Sequence, residues 1–382
     1  MILLGVLFTL SFFILGYKLG IQKSAQTPIL FNSDFSGLDA KIFWQTWKYI
    51  KENFADPSKI DSHKAAFEAA RGLIRSLDDP YSDLLTERQG KIFEEDLSGS
   101  FGGVGIEIGI RKGILTVISP LEGTPAYRAG LKPNDQILKI NGESTENMNL
   151  EEAVSKIRGE PGTKVVLTII RESFNEPKDF ELIREKIVIP TIKSEFIEPD
   201  IGYIKINTFI ANTYSDFTKA LIDLSAKGAQ KFIIDLRNNP GGYLEVALKM
   251  AEVFVPRGKV LVGQESRNEK KLIRSEGPGV LSQNKVVILI NGGSASASEI
   301  FAAALKKHLN AKLIGEKSFG KGTVQQMFKI NGNILKLTIA YWLTPDEKRI
   351  EGHGLEPDIK IKDEKEGNKD AIKEKAIELL KQ

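Results

Sequence analysis

The chain has 382 residues, enough for two or three domains, and its 41% hydrophobic and 27% charged residues describe an ordinary globular protein. A net charge of +3, from 53 basic and 50 acidic residues, leaves no electrostatic footprint for nucleic acid. With no cysteine, disulfides, thiol catalysis and thiolate metal sites are excluded together; three scattered histidines lack metal-ligand spacing, so no metal or cofactor is expected.

Residues 1–17 are uncharged and almost wholly apolar. As a helix they span about 25 Å, short of a ~30 Å hydrocarbon core, though Lys18 can snorkel. No clean small-residue cleavage site follows, so residues 1–20 read as an uncleaved anchor in preference to a signal peptide. Lys18 and Lys23 on the C-terminal flank would keep the body in the cytoplasm by the positive-inside rule, though a large following domain, or a true start further upstream, can override that bias. The expectation is a single-pass protein of the cell membrane with its body on the extracytoplasmic side. Residues 21–37 are a polar linker. In the helical region 38–98, Phe43, Trp47, Ile50 and Phe54 recur at helical spacing, as do Ala66, Ala70, Leu73 and Leu77, with a break at Asp56-Pro57. The aromatic stripe is core or a subunit interface, and Asp78-Asp79-Pro80 caps or turns the chain.

From Phe101 the pattern becomes β-rich. A glycine loop leads into an alternating strand through Ile106, Ile108 and Ile110, then strands at 114–118 and 135–140, a hairpin signal at Asn141-Gly142, a helix capped by Asn149 with Leu150, Val154 and Ile157 on its apolar face, and a last strand at 164–171. Residues 99–187 resemble a PDZ domain of the bacterial, protease-associated kind, carried by the glycine loop, AYRAGLKPNDQILKINGE and GEPGTKVVLTIIRE. The resemblance implies a groove between the strand at 105–110 and the helix at 150–158. A peptide would add there as a strand, its terminal carboxylate held near Gly102, Gly103, Val104, Gly105 and Ile106.

From Ile201 apolar strands alternate with helices: a strand at 202–206, a helix at 214–227 with Phe217, Leu221 and Leu224 on one face, a strand at 231–237, and a helix through Val246, Met250 and Phe254. This rhythm argues a mainly parallel sheet, whose ligands gather at the carboxyl ends of strands. Two glycine turns fall there, at Pro240-Gly241-Gly242 and Asn291-Gly292-Gly293. The second follows the apolar strand 286–290 and precedes a helix opened by Glu299, so Ser294, Ser296 and Ser298 are candidate nucleophiles; Ser296 and Glu299 also read as a capping box. A strand beginning at Gly320 would put Lys321, Thr323 and Gln325 on one side, pairing with 334–341 across Asn331-Gly332. The charged tail 363–382 ends in a helix with Ile372, Ala376 and Leu379 on its apolar side.

A serine nucleophile needs a base. His308 lies twelve residues past Ser296 on the same helix, about 18 Å along it. His353 in a glycine loop stays open, as do Lys321 and Lys317; a lysine would need its pKa lowered by roughly 3 units. Residues 38–382 resemble the carboxyl-terminal processing, or tail-specific, proteases, a family of Ser/Lys serine endopeptidases. SLDDPYSDLL, DLRNNPGG, NGGSASASEI, GEKSFGKGTVQ and TPDEKRIEGHGLEPDI carry that resemblance, in family order, with the PDZ module inserted before the core. It implies Ser296 as nucleophile, Lys321 as general base, Gln325 as the residue orienting it, and backbone N–H groups of Ala297, Gly241 and Gly242 as oxyanion hole. It also implies a crotonase/Clp-protease-like αβ spiral core over 188–362, and protein substrates with apolar C-termini. The alternatives are a PDZ scaffold with an inert core and a crotonase-like acyl-transfer enzyme.

Overall fold

The computed structural model describes residues 40–188, 190–362 and 370–382. The expected anchor at 1–20 and linker at 21–37 lie outside them; among the described residues no helix is long and apolar enough to cross a membrane. Helices α1 (Ala40–Asn53) and α2 (Ser62–Arg75) form where the apolar spacing places them. Between them Asp56 accepts the Ser58 N–H at 3.2 Å and caps a single 3-10 turn at Pro57–Lys59, which is the expected break. Helix α1 buries none of its residues; Ile42, Trp44 and Tyr49 are all more than half exposed. A three-residue strand β1 (Asp83–Leu85) and helix α3 (Glu87–Ser98), opened by a Thr86/Gln89 capping box, follow.

Strand β2 (Ser100–Gly103) enters the β-rich module. Next come β3 (Ile106–Arg111), β4 (Ile114–Pro120), α4 (Pro125–Arg128), β5 (Gln136–Ile140), β6 (Glu143–Ser144), α5 (Leu150–Ile157), β7 (Lys164–Ile170), β8 (Lys178–Ile183) and β9 (Glu185–Val188). The sheet runs β3-β4-β5-β7-β8, which leaves β3 at an edge beside α5. Its alternating inward residues, Val117, Ile137, Leu167 and Ile169, pack with Ala153 and Ile157 of α5 into a separate core. Two expectations change here. The strand at 164–171 is not the last, because β8 and β9 follow it. The glycine stretch is partly a strand: β2 pairs antiparallel with β9, Ser100 opposite Val188 and Gly103 opposite Glu185. Glycine at 102 permits that path, since a Cβ there would lie 2.0 Å from the Gly159 carbonyl oxygen.

The core follows: β10 (Ile192–Ile197), β11 (Ile201–Ile206), α6 (Thr213–Ala226), β12 (Lys231–Asp235), α7 (Leu244–Ala251), β13 (Val260–Ser266), β14 (Lys270–Arg274), β15 (Lys285–Ile290), α8 (Ala297–Leu309), β16 (Lys312–Gly315), β17 (Thr323–Ile330), β18 (Asn333–Leu343), β19 (Ile359–Lys360) and α9 (Ala371–Lys381). Six strands form a sheet in the order β10-β11-β12-β15-β16-β19, parallel except for the β10–β11 pair. Its strands are apolar on both faces because both are covered. Ile204, Ile206, Phe232, Ile234 and Ile288 face α6, α7 and α8 through Phe217, Met250 and Phe301. Ile201, Ile233, Val287, Leu289 and Ile314 face Ile372, Ala376 and Leu380 of α9. Leu380 thus takes the buried position expected for Leu379, which packs at the margin.

A second, antiparallel sheet runs β1-β18-β13-β14, with β17 also on β18. Strands β13 and β14 occupy a stretch that the sequence pattern leaves unassigned; β14, Lys270-Lys271-Leu272-Ile273-Arg274, has no alternation to betray it. Lys321 lies in the loop before β17 and not in the strand, and a bulge between Val324 and Gln325 interrupts the period of two. The Gly322 N–H donates to the Glu351 carboxylate at 2.7 Å, and a Cβ on Gly322 would meet the Glu351 backbone nitrogen at 2.2 Å, so strand pairing begins one residue later.

Helix α9 is tied to the sheet by charge as well as by apolar contact. Buried Arg237 spans Asp235 at 2.7 Å and Asp370, the α9 N-cap, at 2.7 Å, while the Tyr203 hydroxyl donates to Asp235 at 2.7 Å. Removing one member of a buried pair strands the other's charge. Arg237→Met is therefore expected to lower stability by about 3–5 kcal/mol, read from the midpoint of denaturant unfolding.

Candidate active site

Strand β15 ends at Ile290 and α8 begins at Ala297, so residues 291–296 turn the chain at the carboxyl edge of the parallel sheet. Two of its three serines are committed to structure. The Ser294 hydroxyl donates to the Leu236 carbonyl at 2.8 Å and accepts the Asn291 N–H at 3.0 Å; the Ser298 hydroxyl donates to the Asn239 carbonyl at 2.9 Å, and both side chains are buried. Ser296 differs. It is only half-buried and has φ 57° and ψ −118°, a backbone conformation that a non-glycine residue adopts at a cost of order 1–3 kcal/mol. Such a strained strand-to-helix turn has the backbone shape of a nucleophile elbow.

The turn at 238–242 packs against this elbow. Asn238 and Asn291 are reciprocally bonded, the Asn238 N–H reaching the Asn291 side-chain oxygen at 2.9 Å and the Asn291 amide reaching that of Asn238 at 3.0 Å. Asn239, fully buried, holds the Ala295 N–H on its carbonyl at 3.0 Å and the Gly241 N–H on its side-chain oxygen at 2.9 Å. Gly241, at φ 102°, lies so close that a Cβ would meet the Ala295 carbonyl oxygen at 2.8 Å, Ser296 Cβ at 2.9 Å and the Ala297 nitrogen at 3.0 Å. Glycine is obligatory there for both its φ and its space. The structure thus brings Gly241, Ser296 and Ala297 together at the positive end of α8, while Gly242, next in the chain, packs on the Phe209 backbone.

Glu299 carries more than the expected cap. Its carboxylate takes the Ser296 N–H at 2.8 Å, the reach-back of the capping box. It also takes the Lys321 N–H at 2.9 Å, the Gly320 N–H at 2.8 Å and the Ser318 hydroxyl at 2.5 Å. One buried acid therefore joins the backbone of Ser296 to that of Lys321. Burial pushes this carboxyl above the usual range, and the hydrogen bonds from Ser318, Ser296, Gly320 and Lys321 oppose the shift. The sequence signal for it was the capping-box spacing, which names only one of the four donors.

The Lys321 side chain is half-buried, with its amine 5.1 Å from the centre of the Tyr81 ring. Burial holds its pKa below the usual lysine range, the nearby Lys336 charge adds to that, and Glu351 and Asp79 oppose it. Lys317 is a surface group paired with Glu356 at 3.1 Å, both more than half exposed. His308 bonds the Val260 carbonyl at 2.7 Å near the far end of α8, and His353 bonds the Glu351 carbonyl at 2.8 Å within its own loop. The Gln325 amide donates to the Thr323 hydroxyl at 2.7 Å and the Thr338 hydroxyl at 3.2 Å.

In the module, Gly102 and Gly103 lie in β2, and Ile106 opens the edge strand β3. Between them the buried Val104 accepts the Ala126 N–H at 2.9 Å, and Gly105, at φ 74°, accepts the Thr124 hydroxyl at 3.1 Å. The five residues are thus gathered at the start of the free edge.

A model of peptidase family S41 matches residues 200–361, and a PDZ domain model matches residues 116–171. The chain is 40% identical over 341 residues to the carboxy-terminal processing protease CtpA of Bacillus subtilis (strain 168), covering 89% of this chain and 71% of that protein. It is 41% identical over 307 residues to the "Probable CtpA-like serine protease" of Staphylococcus aureus (strain COL), covering 79% of this chain and 61% of that one. Among solved structures it is similar to the photosystem II D1 C-terminal processing protease, with a TM-score of 0.55 and 25% identity over 85% of this chain and 93% of that one. These matches, with the parallel core and its inserted module, define a serine-type peptidase carrying a PDZ domain. The chain belongs to the carboxy-terminal processing proteases of peptidase family S41.

Glu299→Gln tests the brace. An amide has one acceptor oxygen, so whichever way it turns at least one backbone N–H faces an NH2 group, at a cost of about 1–3 kcal/mol. The expected result is a fall in kcat/KM of roughly tenfold or more with a lowered unfolding midpoint, measured by steady-state kinetics and thermal unfolding on the same preparation.

Proposed function

We propose that this chain cleaves protein substrates captured by their C-terminal tails, with Ser296 as nucleophile, Lys321 as general base and Gln325 as the residue that orients the lysine. The observation that supports the reading is that Glu299 holds the backbone N–H of a strained, half-buried serine and that of a half-buried lysine of lowered pKa. A neutral Lys321 amine takes the Ser296 hydroxyl proton as the oxygen attacks the scissile carbonyl. The resulting oxyanion is met by the Ala297 N–H at the start of α8 and by the Gly241-Gly242 turn. With the Gly241 N–H directed to Asn239, the Gly242 N–H is the donor assigned from that turn. The lysine returns its proton to the leaving amine, an acyl-enzyme remains, and water hydrolyses it. Gln325 spends its NH2 group on Thr323 and Thr338, so its carbonyl is the end assigned to the lysine amine.

For the tail, β3 offers the free edge of a sheet beside α5, where an extended peptide adds as a further strand. Its carboxylate is assigned to the segment 102–106. The apolar segment 1–20 would tether the body to a membrane.

Incubating the protein with an unfolded substrate bearing an apolar C-terminus should yield fragments, and Ser296→Ala should abolish them while tail-peptide binding and the unfolding midpoint persist. Binding without fragments in the parent protein would favour the scaffold alternative. Because the base must be unprotonated, kcat/KM should rise with pH through the depressed lysine pKa, giving an acid limb below the ordinary lysine range. Lys321→Arg, which stays protonated, should be inactive across the whole profile.

A further inference from the structure

The residues before the PDZ module take part in the arrangement around Lys321, although the mechanism above assigns them nothing. We propose that Tyr81 is a positioning residue for the Lys321 amine, its ring forming the wall that keeps that amine dry and directed toward Ser296. This rests on the reading of Lys321 as base.

The amine sits 5.1 Å from the ring centre, and the segment that carries the ring is held from several sides. The Asp79 carboxylate accepts the Tyr81 N–H at 3.1 Å and the Ser82 hydroxyl. The Ser82 oxygen accepts the Thr338 N–H at 2.9 Å, and β1 pairs directly with β18, Asp83 opposite Lys336. Arg71 of α2 grips the Asp83 carboxylate with two bonds of 3.0 and 3.1 Å. Thr338 is a junction: its N–H serves Ser82, and its hydroxyl receives the Gln325 amide at 3.2 Å. The segment 79–82 and Gln325 therefore meet on one residue of β18.

The titratable groups around the amine come from each surrounding element: Asp79 and Tyr81 from this segment, Lys336 from β18, and Glu351 from the loop after β18. Tyr81 itself is neutral, since burial and the nearby Glu351, Asp79 and Glu299 push its phenol up. A ring face attracts a cation, which favours the protonated amine, whereas excluding water disfavours it. Burial is the largest influence holding the Lys321 amine down, and the ring 5.1 Å away is assigned a share of that burial. Removing the ring should admit water and move the amine back toward the ordinary lysine range.

The test is the pH profile of kcat/KM for the full chain on an unfolded substrate. Tyr81→Ala should raise the acid limb by about one pH unit, with activity near neutrality falling roughly tenfold, and Tyr81→Phe, which keeps the ring, should restore the parental limb. Tyr81→Gln, polar and without a ring, serves if the alanine variant does not fold, and should also raise the limb. An unmoved limb in Tyr81→Ala or Tyr81→Gln overturns the proposal, as does a limb in Tyr81→Phe displaced as far as in Tyr81→Ala. Lys321→Ala separates the two levels. If it is inert while the Tyr81 variants keep the parental limb, only the role of Tyr81 falls. If it remains active with an unchanged limb, the base assignment falls, and the role of Tyr81 with it.

Discussion

Burying a carboxylate costs several kcal/mol unless donors replace its lost water, and at Glu299 four donors do so. Hydrogen bonds to a charged group contribute about 1.5–3 kcal/mol each, so the set is of the size needed to hold the charge in place. What matters is where the donors come from. Ser296 lies at the start of α8; Ser318, Gly320 and Lys321 lie in the loop that follows β16. The two arms are already joined by backbone, the Phe319 N–H on the Ser294 carbonyl and the Glu316 N–H on that of Ile290, both at 3.0 Å. Glu299 extends that tie to Ser296 and Lys321 themselves.

The rest of the core supplies the frame for that acid. Parallel strands β12 and β15 deliver two turns side by side at the same sheet edge, and Asn238, Asn239 and Asn291 lace them together. Helix α8 is almost wholly buried through its first nine residues, so its N-terminus cannot shift without disturbing Phe301, which packs on Phe209 and Phe254. The strain at Ser296 is thus stored in a turn anchored at both ends. Polar side chains of a kind often read as loop filler are the fasteners here.

Much of this is legible in the amino-acid order, and the limits are physical. The apolar runs of β11, β12 and β15 announce a covered parallel sheet because both faces must be buried, and the glycine turns stand out because backbone must approach backbone. Residue spacing also marks Ser296 and Glu299 as a pair. It cannot reveal that Glu299 serves Lys321, twenty-two positions later, nor that Ser294 and Ser298 are consumed by the carbonyls of Leu236 and Asn239, since those partners are set by tertiary packing. Strand β14 escapes notice because its burial is too slight to impose alternation. The position of Lys321 in a loop and not a strand follows from the Glu351 carboxylate capturing the next N–H, a contact no periodicity encodes. Arg237 and Asp370 meet at the start of the docked α9, a partnership across 133 positions that no local spacing encodes.

The β2–β9 ribbon has a wider meaning for how such a molecule is assembled. The polypeptide leaves the core and returns to it through two strands whose facing Cα atoms stand about 5 Å apart, Ser100 beside Val188. Excision of everything between them would leave ends that a short hairpin could close, with little entropic cost. Beside this stem the module also leans on α3, where Asp96 pairs with Arg158 at 2.7 Å and Gln89 donates to Glu151 at 3.3 Å, so the stem sets its place in the chain and α3 steadies it.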